Sequence, residues 1–242
     1  MELSDIYGCP CYAFKNYEEA YNLVEQFVNK GGYSAAINAE KIIKFEKDKE
    51  INKLLSEATI PIPDGVGAVY GMRILHGIKS IRLDLPGLVL NLAENNKLKM
   101  FLLGASEESN LQASLEIAKQ YPHIKIVGRL NGFFKSLDEV RDKIEKSQPE
   151  VVLLALGSPK QEFIARDLLA SFPDILFIGC GGRFDILSGK VKRAPIIWQK
   201  LGLEWLYRLS SQPSRFKRQK AIPALAKKLL KSYFKKSDER YH

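Results

Sequence analysis

The sequence has few of the residues and motifs that mark several large protein classes. It holds three cysteines among 242 residues, with neither a C-x-x-C pair nor an H-E-x-x-H motif. We therefore expect no disulfide framework and no zinc site. No apolar run approaches the ~18 residues that a membrane-spanning helix needs. The first residues also lack the basic stretch of a signal peptide, so we expect neither a span nor a secretion signal.

Two nucleotide-binding motifs are also missing. The sequence contains neither G-x-x-x-x-G-K-[ST] nor G-x-G-x-x-G. A Walker-type ATPase and an ordinary dinucleotide enzyme are therefore not supported.

The composition is that of a globular protein, but the charge is unevenly spread. Hydrophobic residues make up 45% of the chain, and the net charge is +9. Residues 190–242 contain 15 Lys and Arg against 3 acidic residues, whereas residues 1–189 contain 22 against 25. We therefore divide the chain into an α/β body, residues 1–189, and a basic amphipathic C-terminal appendage, residues 190–242.

The end of the appendage has helical periodicity. Apolar residues from Ile222 to Phe234 recur at helical spacing, with lysines largely between them. A basic amphipathic helix with aromatic residues at one end is typical of an anionic membrane surface. Simple packing on the body and nucleic-acid binding are the alternatives. We expect a membrane surface and no nucleic acid.

The body shows apolar strands alternating with helices. The first element that the pattern predicts is a helix from Tyr17, and residues 38–56 are predicted to form one charged helix. The segment from Val151 to Leu156 is continuously apolar, as expected for a strand buried on both faces. The pattern predicts a Rossmann-like α/β fold, with a parallel sheet and helices on both faces.

Four predicted strands end in small or special residues. These ends are Asp64-Gly65, Gly104 to Ser106, Gly157 to Gln161, and Gly179 to Gly182. Ligands of open α/β sheets bind outside the carboxyl ends of the strands. The sequence therefore predicts a ligand crevice at this edge.

Two of these ends can equally be helix starts. Ser158 can cap a helix with Pro159 at its first position and Gln161 closing a capping box. The alternative is that Lys160 and Gln161 face an anionic ligand at the helix N-terminus. The segment beginning at Ser106 opens a helix with two acidic residues, which favours a structural role.

The other two ends are also ambiguous. Asp64 can belong to a simple Pro-Asp-Gly turn or supply a general base at the mouth of the crevice. Gly181 and Gly182 let a backbone approach a ligand closely. Asp185 can accept hydrogen bonds from a base or a sugar, or cap a loop.

In combination, these segments resemble the bacterial glycosyltransferases of the WecG/TagA/CpsF family. The matching segments lie in order over about 180 residues: Ile37 to Glu40, Pro63 to Gly67, Leu102 to Ala105, Asn131 to Phe134, Ala155 to Glu162, Gly179 to Gly189, Arg193 to Pro195 and Leu203 to Leu209, then Pro213 and Arg215. Phe133 stands where many members have Tyr, and Ile37 where many have Thr.

The resemblance implies an inverting enzyme of surface polysaccharide biosynthesis. It would move N-acetylmannosamine or N-acetylmannosaminuronic acid from a UDP-sugar to polyprenyl-diphosphate-linked GlcNAc. The enzyme would be cytoplasmic and peripheral on the inner face of the cell membrane. Another UDP-hexose or UDP-hexuronate donor is the alternative, as is a non-enzymatic membrane-surface adaptor. A homo-oligomer is also possible, because movement of the appendage would expose an apolar edge of the body that suits a dimer interface.

The resemblance also implies residue roles. Asp64 matches the proposed base, and Asn38 and Gln161 match polar residues near the reacting sugars. The expected nucleotide and donor residues are Gly104, Phe133, Gly157, Lys160, Gly181, Gly182, Phe184 and Asp185. The expected diphosphate and acceptor residues are Arg82, Arg193, Arg208, Arg215 and Arg218.

Charge compensation for the leaving UDP is expected from cationic side chains. Metal-dependent transferases often hold Mg²⁺ or Mn²⁺ with a D-x-D pair, which this sequence lacks. Arginine binds diphosphate oxygens bidentately. We therefore expect no metal and no other cofactor.

Overall fold

The computed structural model describes residues 1–192, 195, 198, 206–207 and 220–238, with side chains as far as 235 in the last range. The strands are β1 (Glu2–Ile6), β2 (Cys9–Ala13), β3 (Gly32–Ile37), β4 (Ile60–Pro63), β5 (Lys99–Gly104), β6 (Lys125–Leu130), β7 (Val151–Ala155) and β8 (Leu176–Gly179). The helices of the described residues are α1 (Tyr17–Gln26), α2 (Ala39–Phe45), α3 (Lys49–Ser56), α4 (Val66–His76), α5 (Leu85–Asn96), α6 (Glu107–Gln120), α7 (Leu137–Ser147), α8 (Lys160–Leu169), α9 (Arg183–Leu187) and α10 (Ala221–Asp238).

The predicted α/β fold is confirmed. Six strands form one sheet in the order β4-β3-β8-β7-β5-β6, and every neighbouring pair is parallel. Two clusters of buried apolar residues lie on its two faces, each covered by helices. The carboxyl ends of β4, β3, β8 and β7 are therefore neighbours along one edge.

Strand β7 shows why the apolar runs fold in this way. Val152 and Leu154 belong to one core cluster, whereas Val151 and Leu153 belong to the other. All four have no solvent exposure. Because side chains alternate between the faces of a strand, a continuously apolar run can be buried only between two helical layers.

The predicted strand that ends before Asp64 is confirmed as β4, the edge strand of the sheet. Strand β4 carries Pro61 and Pro63, and it lies at the end of the sheet, where a missing N–H costs no ladder bond. The hairpin of β1 and β2 was not predicted, although β2 packs beside β4. Strand β2, from Cys9 to Ala13, contains no charged residue, so the alternation of burial along it is not visible in the sequence.

The prediction of one helix over residues 38–56 is wrong. The structure has α2 and α3 there, and Asp48 separates them. The Asp48 carboxylate accepts hydrogen bonds from the backbone N–H groups of Glu50 and Ile51, which begins a new helix.

Helix α10 packs on the body through α2 and α4. Leu225 and Leu229 are buried in the same core cluster as residues of the sheet. A Cβ atom at Gly67 would lie 3.1 Å from Leu225, so the missing side chain lets α10 sit close to α4. The Lys228 ammonium lies 3.6 Å from the centre of the Tyr7 ring. Among the described residues, no helix combines the length and apolarity that a bilayer crossing requires.

We expect Leu153→Ala to lower the free energy of unfolding by about 2–5 kcal/mol, because it leaves a cavity in a central strand. Leu115→Ala is the matched control, since Leu115 is 55% exposed on α6. It should change the same quantity by no more than about 0.5 kcal/mol. Urea unfolding followed by circular dichroism measures both; equal losses in the two variants would contradict the two-sided burial of β7.

Candidate active site

The structure places a crevice at the carboxyl ends of β3, β4, β7 and β8. Its volume is about 240 Å³. The predicted site residues that line it are Asn38, Asp64, Arg82, Gly157, Gln161, Gly181 and Gly182. The crevice therefore brings together the three residues expected to act in catalysis.

Asn38 joins the end of β3 to α2. Its backbone is extended, and its side-chain oxygen accepts a hydrogen bond from the Lys41 backbone N–H at 3.2 Å. Asn38 is therefore an N-cap, which fixes the side chain at the wall of the crevice. Capping engages the amide oxygen, and the side-chain NH₂ is the group suited to donate to a ligand.

Asp64 follows directly after β4. Its backbone N–H donates to the carbonyl of Ile37 at 2.9 Å, which holds it next to the end of β3. Gly65 then adopts a φ of 98° and begins α4, a conformation that favours glycine. The Asp64 side chain is exposed and lines the crevice, so the turn geometry presents a carboxylate at its mouth.

Gln161 lies in the first turn of α8, and the predicted capping box there is wrong. Its side-chain oxygen accepts from the Gly181 backbone N–H at 3.1 Å, and its NH₂ donates to Glu162 at 3.2 Å. Helix α8 begins after Pro159 without a side-chain cap, so Ser158 does not cap it. The side chain of Gln161 thus links α8 to the loop after β8.

Five charged or ionisable residues of the crevice were not among the predicted site residues. They are Lys41, Asp84, Glu162, Cys180 and Arg183. Nothing in the local sequence marked Lys41, because charged residues near helix starts are usually solvated. Glu162, Cys180 and Arg183 lay inside matching segments and could have been chosen.

Burial controls the chemistry of Cys180. Loss of solvent raises the pKa of its thiol well above the ordinary range, with Arg183 opposing the shift. The thiol is therefore protonated at neutral pH and is not an activated nucleophile.

Asp84 and Arg183 form a partly buried ion pair in the wall of the crevice. Arg183 donates to the Asp84 carboxylate at 3.0 Å, and the second oxygen of Asp84 caps α5 at Gly87. The pair also lines a second cavity, of about 490 Å³, together with Tyr17 and Tyr121. We take the smaller cavity as the candidate active site, because Asn38, Asp64 and Gln161 all line that one.

The loop from β6 to α7 is held by Glu107. Glu107 accepts hydrogen bonds from Arg129 and, at 3.0 Å, from the Asn131 side chain. The oxygen of Asn131 accepts from the Phe133 backbone N–H at 2.9 Å. Phe133 is 80% exposed and is not among the residues that line the crevice. An exposed aromatic ring is suited to stacking.

Some predicted ligand residues do not line the crevice. Phe184 requires a correction: its side chain has no exposure and packs in the core, so it anchors α9 and does not touch a ligand. Gly104 has a structural explanation, because a Cβ atom there would lie 2.5 Å from the carbonyl of Ala155. Lys160 lies over the Phe134 ring at 5.4 Å.

Asp185 belongs to α9, outside the lining of the crevice. The predicted residues Arg193, Arg208, Arg215 and Arg218 lie outside the described residues. In the part of the chain that the structure describes, no group of three or more His, Cys, Asp or Glu side chains could hold a metal ion.

Acidification should uncouple the β6–α7 loop. The hydrogen bonds from Asn131 and Arg129 hold the pKa of Glu107 below its usual 4.5. A lowered pKa in the folded state stabilises the fold above pH 4.5, and the contribution is lost as the pH falls through the folded-state pKa. Glu107→Gln should therefore lower the urea midpoint at pH 7 and have a smaller effect at pH 4.

Glu108→Gln is the matched control, because it removes a carboxylate from the same helical turn. Both variants lose the interaction with the helix dipole. A pH dependence that is identical in the two variants would contradict the role of Asn131 and Arg129.

The family of the chain follows from a comparison over nearly its whole length. A model of the "Glycosyl transferase WecG/TagA/CpsF family" matches residues 4–239. The match includes the strand ends that build the crevice, and the enzymes of this family are glycosyltransferases. The chain belongs to the WecG/TagA/CpsF family of glycosyltransferases.

Proposed function

We propose that the protein transfers N-acetylmannosamine or N-acetylmannosaminuronic acid from a UDP-sugar to polyprenyl-diphosphate-linked GlcNAc. The transfer inverts the configuration at the anomeric carbon and contributes to the synthesis of a surface polysaccharide. Family membership supports the reaction class. The observation that carries the mechanism is the exposed Asp64 carboxylate at the mouth of the crevice that Asn38 and Gln161 also line.

Asp64 is the proposed general base. The acceptor hydroxyl oxygen forms a bond to the anomeric carbon of the donor, and its proton passes to the Asp64 carboxylate. The bond from that carbon to the UDP oxygen breaks, and UDP departs with the electron pair. Attack opposite the leaving group inverts the configuration.

Cations stabilise the departing UDP in this proposal. Arg82 lines the crevice, and Arg193, Arg208, Arg215 and Arg218 remain predicted diphosphate ligands. Preorganised charges are most effective where negative charge develops in the transition state. Since the sequence lacks a D-x-D pair, we propose that these arginines act without a metal ion.

The nucleotide is proposed to lie along the glycine-rich strand ends. Gly157 and Gly181 have φ values of 76° and 53°, and both line the crevice. Phe133 supplies a ring for the base, and Asp185 a hydrogen-bond acceptor. Another UDP-hexose or UDP-hexuronate donor remains the second candidate. Membership of a family of enzymes argues against a purely non-enzymatic adaptor.

Helix α10 is the proposed contact with the inner face of the membrane. Leu230, Tyr233 and Phe234 are 55%, 52% and 61% exposed. Lys227 and Lys231 are exposed on the same helix. Apolar and aromatic side chains beside lysines suit an anionic lipid surface.

Asp64→Asn should lower the turnover number by about 10²–10⁴-fold, because the amide cannot take the acceptor proton. The assay supplies a short polyprenyl-diphosphate-GlcNAc with UDP-ManNAc or UDP-ManNAcA, in EDTA. The exposed Asp142 on α7 gives the control Asp142→Asn, which should keep full activity.

Turnover of the wild type with one donor identifies that donor, and survival in EDTA supports metal independence. Full activity in Asp64→Asn would contradict the role of Asp64 as the base and leave it only a structural role in the turn. No turnover with either donor would direct the search to other UDP-sugars.

The double variant Tyr233→Ser/Phe234→Ser should bind phosphatidylglycerol-containing vesicles at least ~10-fold more weakly, because burying large apolar side chains drives interfacial binding. Leu111→Ser/Leu115→Ser is the control, since both leucines are exposed apolar residues of α6. Sedimentation with vesicles measures binding. Equal binding by the two double variants would contradict contact through α10.

A further inference from the structure

A buried ion pair forms part of the crevice wall. The Lys41 ammonium of α2 lies 2.7 Å from Glu162 Oε1 of α8. The two side chains are 6% and 0% exposed, and both residues line the crevice. Removing two charges from water is unfavourable unless hydrogen bonds satisfy both groups.

One atom of this pair is not satisfied within the described protein. Glu162 Oε2 is buried and has no hydrogen-bond partner there. Oε1, in contrast, accepts from both Lys41 Nζ and Gln161 Nε2, at 2.7 and 3.2 Å. Buried carboxylate oxygens are rarely left without a donor, because the lost hydration is costly. Because Glu162 lines the crevice, a ligand bound there can supply the missing donor.

The same contacts fix the orientation of Gln161. Its NH₂ must face Glu162, because its oxygen accepts from the Gly181 backbone N–H. The amide also packs tightly on β8, where a Cβ atom at Gly179 would lie 2.4 Å from Gln161 Nε2. The ion pair thus connects α2, α8 and the loop after β8, which are three walls of the crevice.

Glu162 is suited to binding and unsuited to serve as the base. Asp64 is exposed at the mouth, where an incoming acceptor would arrive, whereas Glu162 is fully buried. The substrate that contacts Glu162 is therefore the one bound deeper in the crevice, which is the sugar donor.

We propose that Glu162 Oε2 accepts a hydrogen bond from a hydroxyl or amide N–H of the donor sugar, with Lys41 and Gln161 holding the carboxylate in place. This inference rests on the proposed function and adds a specificity residue to it. The sugar substituent that faces Glu162 must be a donor. A sugar carboxylate at that position would be repelled, so a uronic acid could bind only with its carboxylate directed elsewhere.

Glu162→Gln tests the proposal while keeping the size of the side chain. Its amide oxygen can still accept from Lys41, and its NH₂ then replaces Oε2. Calorimetric titration measures the affinities for UDP and for UDP-ManNAc. We expect the affinity for UDP to change less than twofold. The additional affinity that the sugar confers should fall at least ~10-fold, as for a lost hydrogen bond to a charged group.

Glu40→Gln is the matched control. Glu40 also pairs with a lysine, Lys44 at 2.8 Å, but at the surface of α2, where the Glu40 side chain is 25% exposed. It should retain both affinities. If Glu162→Gln does not fold, the double variant Lys41→Gln/Glu162→Gln avoids an unbalanced buried cation and should show the same selective loss.

The outcomes separate the two proposals. A sugar contribution that survives in the folded variant would overturn the role of Glu162 and leave the proposed function intact. Equal losses for UDP and UDP-ManNAc would make the pair purely structural and also overturn that role. Failure of the wild type to bind any uridine nucleotide would overturn the proposed donor class, and with it the assignment of Glu162.

Discussion

Burial of the central strands on both faces is the constraint on which the rest of the molecule depends. A strand such as β7, whose residues are all buried, is stable only between two helical layers. Helical crossovers then keep neighbouring strands parallel, and parallel strands end at the same edge. The crevice exists because four neighbouring strands end together, and the loops that follow them bring Asn38, Asp64, Gly157 and Gly181 to the same edge of the sheet.

The polar groups at this edge are held by one another. Asn38 caps α2, Asp84 caps α5, and Gln161 bridges α8 and the loop after β8. Each contact satisfies a backbone group and also fixes a side chain at the crevice. Structural and functional explanations of a strand end are therefore compatible: capping by Asn38 positions the residue that lines the crevice.

The sequence predicted the sheet well, because continuous apolar runs and helical periodicity are local signals. The helix prediction for residues 38–56 is wrong because the Asp48 side chain caps a new helix within a segment that has helical periodicity throughout. The capping box predicted for α8 is also wrong, because the Gln161 side chain accepts a hydrogen bond from the backbone N–H of Gly181, which is distant in sequence. Spacing along the chain cannot reveal such a partner.

The same limit applies to the site. Asp64, Asn38 and Gln161 could be selected because they follow strands in segments that resemble a family. Lys41 and Glu162 are separated by 121 positions, and only the fold buries them together. Phe184 was misassigned for the opposite reason. It lies within a matching segment, but its side chain turns into the core.

The position of α10 has a geometric consequence. This helix packs on α2 and α4, which begin directly after Asn38 and after the Asp64-Gly65 turn. The distance between the exposed Tyr233 and Phe234 rings and the Asp64 carboxylate is thereby fixed. If these rings insert into a lipid surface as proposed, the carboxylate lies at a constant distance from that surface. An acceptor could then react only if its hydroxyl group extended from the bilayer by that distance, so the length of the acceptor head group would contribute to specificity.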